Sequence, residues 1–213
     1  MPCLLGIETS GNFCSVAIGA EDIILSKKTI EMPYGQAGYL MGLLEGVLRA
    51  AQMNWRDISG IAVNRGPGSF TGIRVGLSVV QGLSLAGGIP IWGLTGFEVY
   101  RSLMPKNQDL LVLIDTRRDD YFSAFFQGGE KYPRFSKIMT ATEVESFCHL
   151  NKTLKVISNI KDVKFNQKFQ FFSLEADSIV RAIPFYQDKG QHIFSSDPYY
   201  LREAAVHGKS KAF

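Results

Sequence analysis

Gly66-Pro67-Gly68-Ser69-Phe70-Thr71-Gly72-Ile73-Arg74-Val75-Gly76-Leu77-Ser78 joins a short apolar run, residues 60–65, to a stretch of helical apolar spacing, residues 72–86. The spacing predicts a buried strand, a glycine-rich loop and a helix start. Gly66, Gly68 and Gly72 permit tight backbone and close approach, and Ser69 or Thr71 is placed to cap the helix. Such a helix terminus offers free N–H groups and the positive end of a dipole, which suits an anion. No Gly-Lys-Ser/Thr follows, so the loop is not a P-loop. Taken alone, the loop leaves two readings open: an anion cradle or a structural strand-to-helix turn.

Working outward, residues 1–8, 13–19 and 23–30 read as three strands separated by short turns, an antiparallel start. Residues 36–52 carry helical apolar spacing through Leu40, Leu43, Leu44, Val47 and Leu48. After the glycine loop and its helix, Gly87-Gly88 marks a helix end, 89–93 a strand, and 95–103 a helix with Thr95 and Glu98 at capping-box spacing. A weaker echo follows. Residues 110–115 and 121–126 predict a hairpin, 131–137 a third strand, and 140–149 a helix opened by Thr140 and Glu143. Residues 154–157 and 169–172 are strand-like, and 176–185 helical. One fold used twice accounts for the echo, with lobes at 1–105 and 106–213 and the last segment a candidate to pack back on the first lobe.

The composition fits this. With 46% hydrophobic and 20% charged residues, 213 residues supply a real core and argue against disorder. The net charge of +3 is too small to argue nucleic-acid binding. The basic tail around His207, Lys209 and Lys211 reads as a solvated terminus. Cys3, Cys14 and Cys148 lie at no metal-like spacing, so free thiols in a reducing cytoplasm are expected. Glu8 interrupts the early apolar run, which speaks against a signal peptide, and no apolar stretch approaches the ~20 residues of a membrane span.

Four motifs in one order carry a family resemblance. They are Leu4-Leu5-Gly6-Ile7-Glu8-Thr9-Ser10 with Cys14-Ser15-Val16-Ala17, the glycine loop, Ile114-Asp115-Thr116-Arg117-Arg118 with Tyr121, and Pro198-Tyr199-Tyr200-Leu201-Arg202. Together they resemble the TsaB (YeaZ) family. The resemblance implies an α/β fold of the actin-like ATPase type (ASKHA, ribonuclease H-like), with two related lobes, each a mixed sheet flanked by helices. It also implies a non-catalytic, cytoplasmic subunit in tRNA threonylcarbamoyladenosine synthesis. Such a subunit pairs with a TsaD-type catalytic subunit and works beside a TsaE-type ATPase. It reaches tRNA only through the complex, and homodimerises when alone. No cofactor is expected in this chain, since partner subunits bind ATP and metal.

The residues bear on that role in two ways. His149, His192 and His207 are too far apart in sequence to form the metal-binding HxxxH pair of catalytic relatives, so no catalytic or metal site is expected. The family usually has Asp-Thr after the first strand. Here Glu8-Thr9-Ser10 stands there, and the extra methylene moves the carboxylate by about 1.5 Å, enough to disturb a metal geometry. With Asp115, Arg117 and Arg118 these residues read as vestigial phosphate loops, and Gly66, Gly68, Ser69, Thr71 and Gly72 as a structural glycine loop. The helix of residues 36–52 carries Gly38, Gly42, Gly46 and Ala50 in one stripe, and each interior glycine costs about 1 kcal/mol against alanine. Close approach of another helix would compensate. The second helix repeats the theme, and Tyr39, Gly42, Gly46, Arg49, Arg74, Val75, Ser78 and Gly82 are the candidate partner interface, half of a four-helix bundle. The open alternative is that both stripes pack against each other within the monomer. Two other functional classes remain: a small actin-fold ATP-dependent kinase and a glycoprotease-like hydrolase.

Overall fold

A computed structural model describes residues 2–20, 23–161, 163–166, 168–187 and 195–202. The first sheet holds β1 (Leu4–Glu8), β2 (Phe13–Ala20), β3 (Ile23–Glu31), β4 (Gly60–Asn64) and β5 (Ile91–Leu94) in the order β3-β2-β1-β4-β5. Strands β1, β2 and β3 pair antiparallel, while β1, β4 and β5 pair parallel. Every residue of β1 and β4 is buried, which is why both read as apolar runs rather than alternating ones, polar only at their last residues, Glu8 and Asn64.

The second sheet repeats this plan. It holds β6 (Leu110–Asp115), β7 (Asp120–Phe126), β8 (Phe135–Thr140), β9 (Lys155–Ser158) and β10 (Gln170–Phe171), ordered β10-β9-β6-β7-β8. Again the first three strands are antiparallel and the last two join in parallel. Two mixed sheets of one topology, flanked by helices, are the actin-like arrangement.

Helices α1 (Gln36–Ala51) and α2 (Phe70–Gly87) cover one face of the first sheet. Leu40, Leu44, Val47, Ile73, Leu77 and Val80 pack there against Ile7, Val16, Ile61 and Val63. The opposite face is covered by α5 (Ala176–Tyr186), whose Ile179, Val180 and Ile183 meet Leu4, Ala62, Trp92 and Leu94. Between the sheets sits α3 (Gly96–Ser102), sending Val99 to this cluster and Phe97 and Tyr100 to the second sheet. Helix α4 (Ala141–Leu150) covers the second sheet's other face through Val144 and Cys148. Both predicted capping boxes, Thr95 with Glu98 and Thr140 with Glu143, are bonded reciprocally.

The connection between the halves is held by Arg101. Its guanidinium is fully buried and donates to the carbonyls of Glu130, Gln108 and Lys106. Three expected elements sit elsewhere. The strand expected at 131–137 begins only at Phe135, because Gly129 (φ 89°) and Pro133 belong to the turn and pairing resumes where Arg134 N–H meets Phe125 O. The 169–172 strand shrinks to two residues on a sheet edge. Helix α2 starts at Phe70, two residues early, because Ser69 rather than Thr71 is the cap.

Candidate functional site

A cleft of about 290 Å³ opens between the sheets where β1 and β6 end. It brings together Glu8, Ser10, Asp115, Arg117 and Arg118 with Gly68 and Ser69. These come from both vestigial phosphate loops and from the glycine loop. On its floor, Glu8 is 1% exposed. Its Oε1 accepts from Ser10 N–H (2.5 Å) and Ser10 Oγ (2.6 Å), and its Oε2 from Asn64 Nδ2 (2.7 Å). Asn64 Oδ1 in turn accepts from Gly66 N–H (3.0 Å). Burial pushes the Glu8 carboxyl above the usual carboxylate range, and the donors from Ser10 and Asn64 oppose that shift. The neighbouring Cys14 thiol is pushed up to about 11 by burial and by Glu8, so it stays protonated. All three cysteines are buried and free.

Thr9 lies beneath the cleft rather than in its wall, and its hydroxyl donates to Gly72 O (2.8 Å). Here the glycine loop closes directly on the β1–β2 turn. Ser69 N–H donates to Ser10 O (2.7 Å), and a Cβ at Gly68 or Gly72 would collide with the backbone carbonyls of Ser10 or Thr9. Ser69 Oγ accepts from Gly72 N–H (3.2 Å), while Thr71 is exposed. The loop is therefore filled by the chain's own backbone. That packing gives Gly68 and Gly72 a structural reason to be glycine, and Gly66 (φ 115°) is likewise pressed against Tyr199 O.

On the second sheet, Asp115 Oδ1 accepts from Arg117 N–H (2.6 Å), and Arg117 adopts φ 60°. The Arg117 guanidinium reaches across to Asn12 Oδ1 (3.1 Å) and Pro33 O (3.3 Å). Sequence reasoning gave no role to Asn64, Asn12 or Phe70, or to Tyr199, Tyr200 and Arg202, all of which line the cleft. A signal was present: Asn64 is the polar end of an otherwise apolar strand, and the last three lie within a quoted motif. Of the histidines, His149 is exposed on α4, whereas His192, His207 and the basic tail fall outside the described residues. Among the described residues, no group of three or more His, Cys, Asp or Glu side chains is placed to hold a metal. None of their helices is long and apolar enough to cross a membrane.

The candidate interface residues stand on the outer faces of α1 and α2. Tyr39 (54% exposed), Gly42, Arg49, Arg74, Ser78 and Gly82 are exposed, and Val75 is half-buried at the core's edge. Built Cβ atoms at Gly38, Gly42 and Gly82 meet nothing within 4 Å. Met41 and Leu85 (90% exposed) add apolar surface beside them. Two of these residues also have partners within the chain. The notch at Gly46 is taken by the Lys28 side chain, whose Nζ would stand 2.7 Å from a Cβ there, so Gly46 packs within the chain. Arg74 is occupied too: its guanidinium lies 3.7 Å from the Phe70 ring centre, and its Nε donates to Tyr200 Oη (3.1 Å).

This architecture and these motifs agree with known proteins. The family model described as TsaD, tRNA N6-adenosine threonylcarbamoyltransferase, matches residues 37–197. The chain is 26% identical over 168 residues to the tRNA threonylcarbamoyladenosine biosynthesis protein TsaB of Buchnera aphidicola subsp. Schizaphis graminum, covering 74% of each. It is 30% identical over 130 residues to the TsaB protein of Escherichia coli K12, covering 60% of this chain and 56% of that one. YeaZ from Pseudomonas aeruginosa superposes with a TM-score of 0.74 at 22% identity, over 94% of this chain and all of that one, and so shares the fold. With its four motifs placed on the doubled sheet, the chain belongs to the TsaB (YeaZ) branch of the TsaD-type family.

Proposed function

We propose that this chain is an accessory, non-catalytic subunit of tRNA threonylcarbamoyladenosine synthesis in the cytoplasm. It docks a TsaD-type catalytic subunit through the exposed faces of α1 and α2. A TsaE-type ATPase joins the complex, tRNA is reached through it, and a homodimer forms on the same faces when the partner is absent. The observation that carries this reading is the open notch at Gly42 and Gly82 beside exposed Tyr39, Met41 and Leu85. Small residues on a helix that also exposes large apolar ones let another helix approach closely.

The cleft supports the non-catalytic half of the reading. The residues present do not fit Mg²⁺–ATP, because both Glu8 oxygens already serve three donors of the chain itself. A metal that displaced any of them would leave a buried donor unpaired, at a cost of about 1–3 kcal/mol. That geometry also weighs against a kinase.

Co-purification with a TsaD homologue tests the proposal, using Gly42→Trp and Ser78→Trp. Both positions are exposed, and a Cβ at Gly42 meets open space, so each variant should fold as a monomer. Pairing and tRNA modification should both be lost. Unchanged association in the two variants would remove the docking face.

A further inference from the structure

We infer that the strap 195–202 is a latch between the two sheets that presets the docking face of α2, so that cleft closure and partner binding form one coupled equilibrium. The inference rests on the docking reading above and deepens it.

Successive strap residues grip opposite halves of the molecule. Tyr199 N–H donates to Arg65 O (2.7 Å), just past β4, while its hydroxyl lies 2.5 Å from Ser136 Oγ on β8. Tyr200 returns to the first half. Its ring stacks on Phe70 (centroids 4.9 Å apart) and its hydroxyl accepts from Arg74 Nε. Leu201 packs into the second sheet's core cluster. Arg202 pairs with Asp120 Oδ2 (2.5 Å) at the start of β7, with both side chains about three-quarters buried. One backbone bond, Tyr199 N–H to Arg65 O, and a bond from Gln81 Nε2 to Ser196 O (3.4 Å) tie the strap to the first half, and Tyr199 Oη, Leu201 and Arg202 tie it to the second.

The first-half grip falls on α2 itself. Phe70 and Arg74 open that helix, and Ser78, one turn further along, lies on the proposed docking face. With the strap in place, the Arg74 guanidinium is fixed over Phe70 and beside Tyr200. With it released, both side chains regain rotamer freedom that a partner must then remove, so the latched form binds better. Linkage makes the effect reciprocal: a partner that prefers the latched face also closes the cleft.

The test perturbs the far end of the latch, away from α1 and α2. Arg202→Gln removes the ion pair, and Asp120→Asn removes it from the other side should the first variant not fold. Nitroxide labels at Arg56→Cys and Lys152→Cys, both exposed, report the separation of the sheets in a chain whose native cysteines are buried. Titration calorimetry with a TsaD-type subunit reports affinity. The latch predicts a broadened distance distribution in the free variant, a Kd weakened about five-fold or more, and a distribution narrowed again by saturating partner. An affinity within two-fold of wild type despite the broadening overturns the coupling. An unchanged distribution overturns the latch. A wild-type chain that fails to bind the partner overturns the docking reading first, and the latch with it.

Discussion

Alanine at Gly72 and alanine at Gly42 should move stability in opposite directions, although both glycines lie within helices on one face of the same sheet. At Gly42 the new methyl meets nothing within 4 Å, so only helix propensity acts, and the variant should gain about 1 kcal/mol. At Gly72 the same gain is outweighed. The methyl would stand against Thr9 O, well inside the 3.0 Å that real Cβ contacts essentially never reach, and the obstacle is backbone. Overpacking of this kind costs about 1–3 kcal/mol. Moving α2 outward also breaks the bond from Thr9 Oγ1 to Gly72 O, and unpairing those buried groups costs a further 1–3 kcal/mol or so. The net loss is about 3 kcal/mol once propensity is subtracted. For a chain of this size that lowers Tm by roughly 6–12 °C, against a rise of roughly 2–4 °C for Gly42→Ala. Urea and thermal unfolding of the two variants measure both, with an unchanged urea m-value confirming that stability alone moved. A Gly72→Ala protein as stable as wild type would mean that the loop is not sealed on the β1–β2 turn.

Two further outcomes follow from the buried polar groups. Because the Glu8 carboxyl is raised above its ordinary value of 4.5, the folded chain holds that proton more tightly than the unfolded chain. The stability it contributes is full below pH 4.5 and declines as pH rises from there through the folded value. Glu8→Gln should flatten that decline in urea titrations at stepped pH; a wild-type contribution that grows with pH in this window would show that the donors outweigh burial. Arg101→Met strands the carbonyls of Lys106, Gln108 and Glu130, and should cost about 3 kcal/mol or more, read as a Tm lowered by roughly 6 °C or more. A Tm within about 2 °C of wild type would remove Arg101 from its place as the tie between the halves.

The first sheet was legible because its signals are local. Strands β1 and β4 are apolar up to their terminal Glu8 and Asn64, α1 and α2 keep helical spacing, and Thr95 with Glu98 announces α3. The second sheet was less so. Strand β8 is displaced by a turn containing Gly129 and Pro133, and β10 is two edge residues whose pairing depends on β9. The cleft floor was legible only in part. Glu8 was visible as a departure from Asp, but its fate is set by Asn64, 56 residues away, and no periodicity reports that bond. The strap motif was visible as well, yet Tyr199–Arg202 contacts reach Arg65, Phe70, Arg74, Asp120 and Ser136, which only the folded chain assembles.

The glycines show most plainly why a pattern underdetermines a role. Along α2, Gly72 and Gly76 face Thr9 and are required by contact with it, whereas Gly82 faces open space on the same helix. Gly42 and Gly46 lie one turn apart in one stripe, and only the second is filled, by Lys28. Sequence spacing treats each pair alike, since it records the missing side chain and not what stands opposite. The inward glycines let α2 press on the turn that follows β1 and fill the space there with the chain's own backbone. The outward ones keep their full helix-propensity cost, about 1 kcal/mol apiece, with nothing in the monomer to offset it. A partner docked on that face, as proposed above, would offset this cost, so one helix joins a glycine loop sealed on its inner side to an open notch on its outer side.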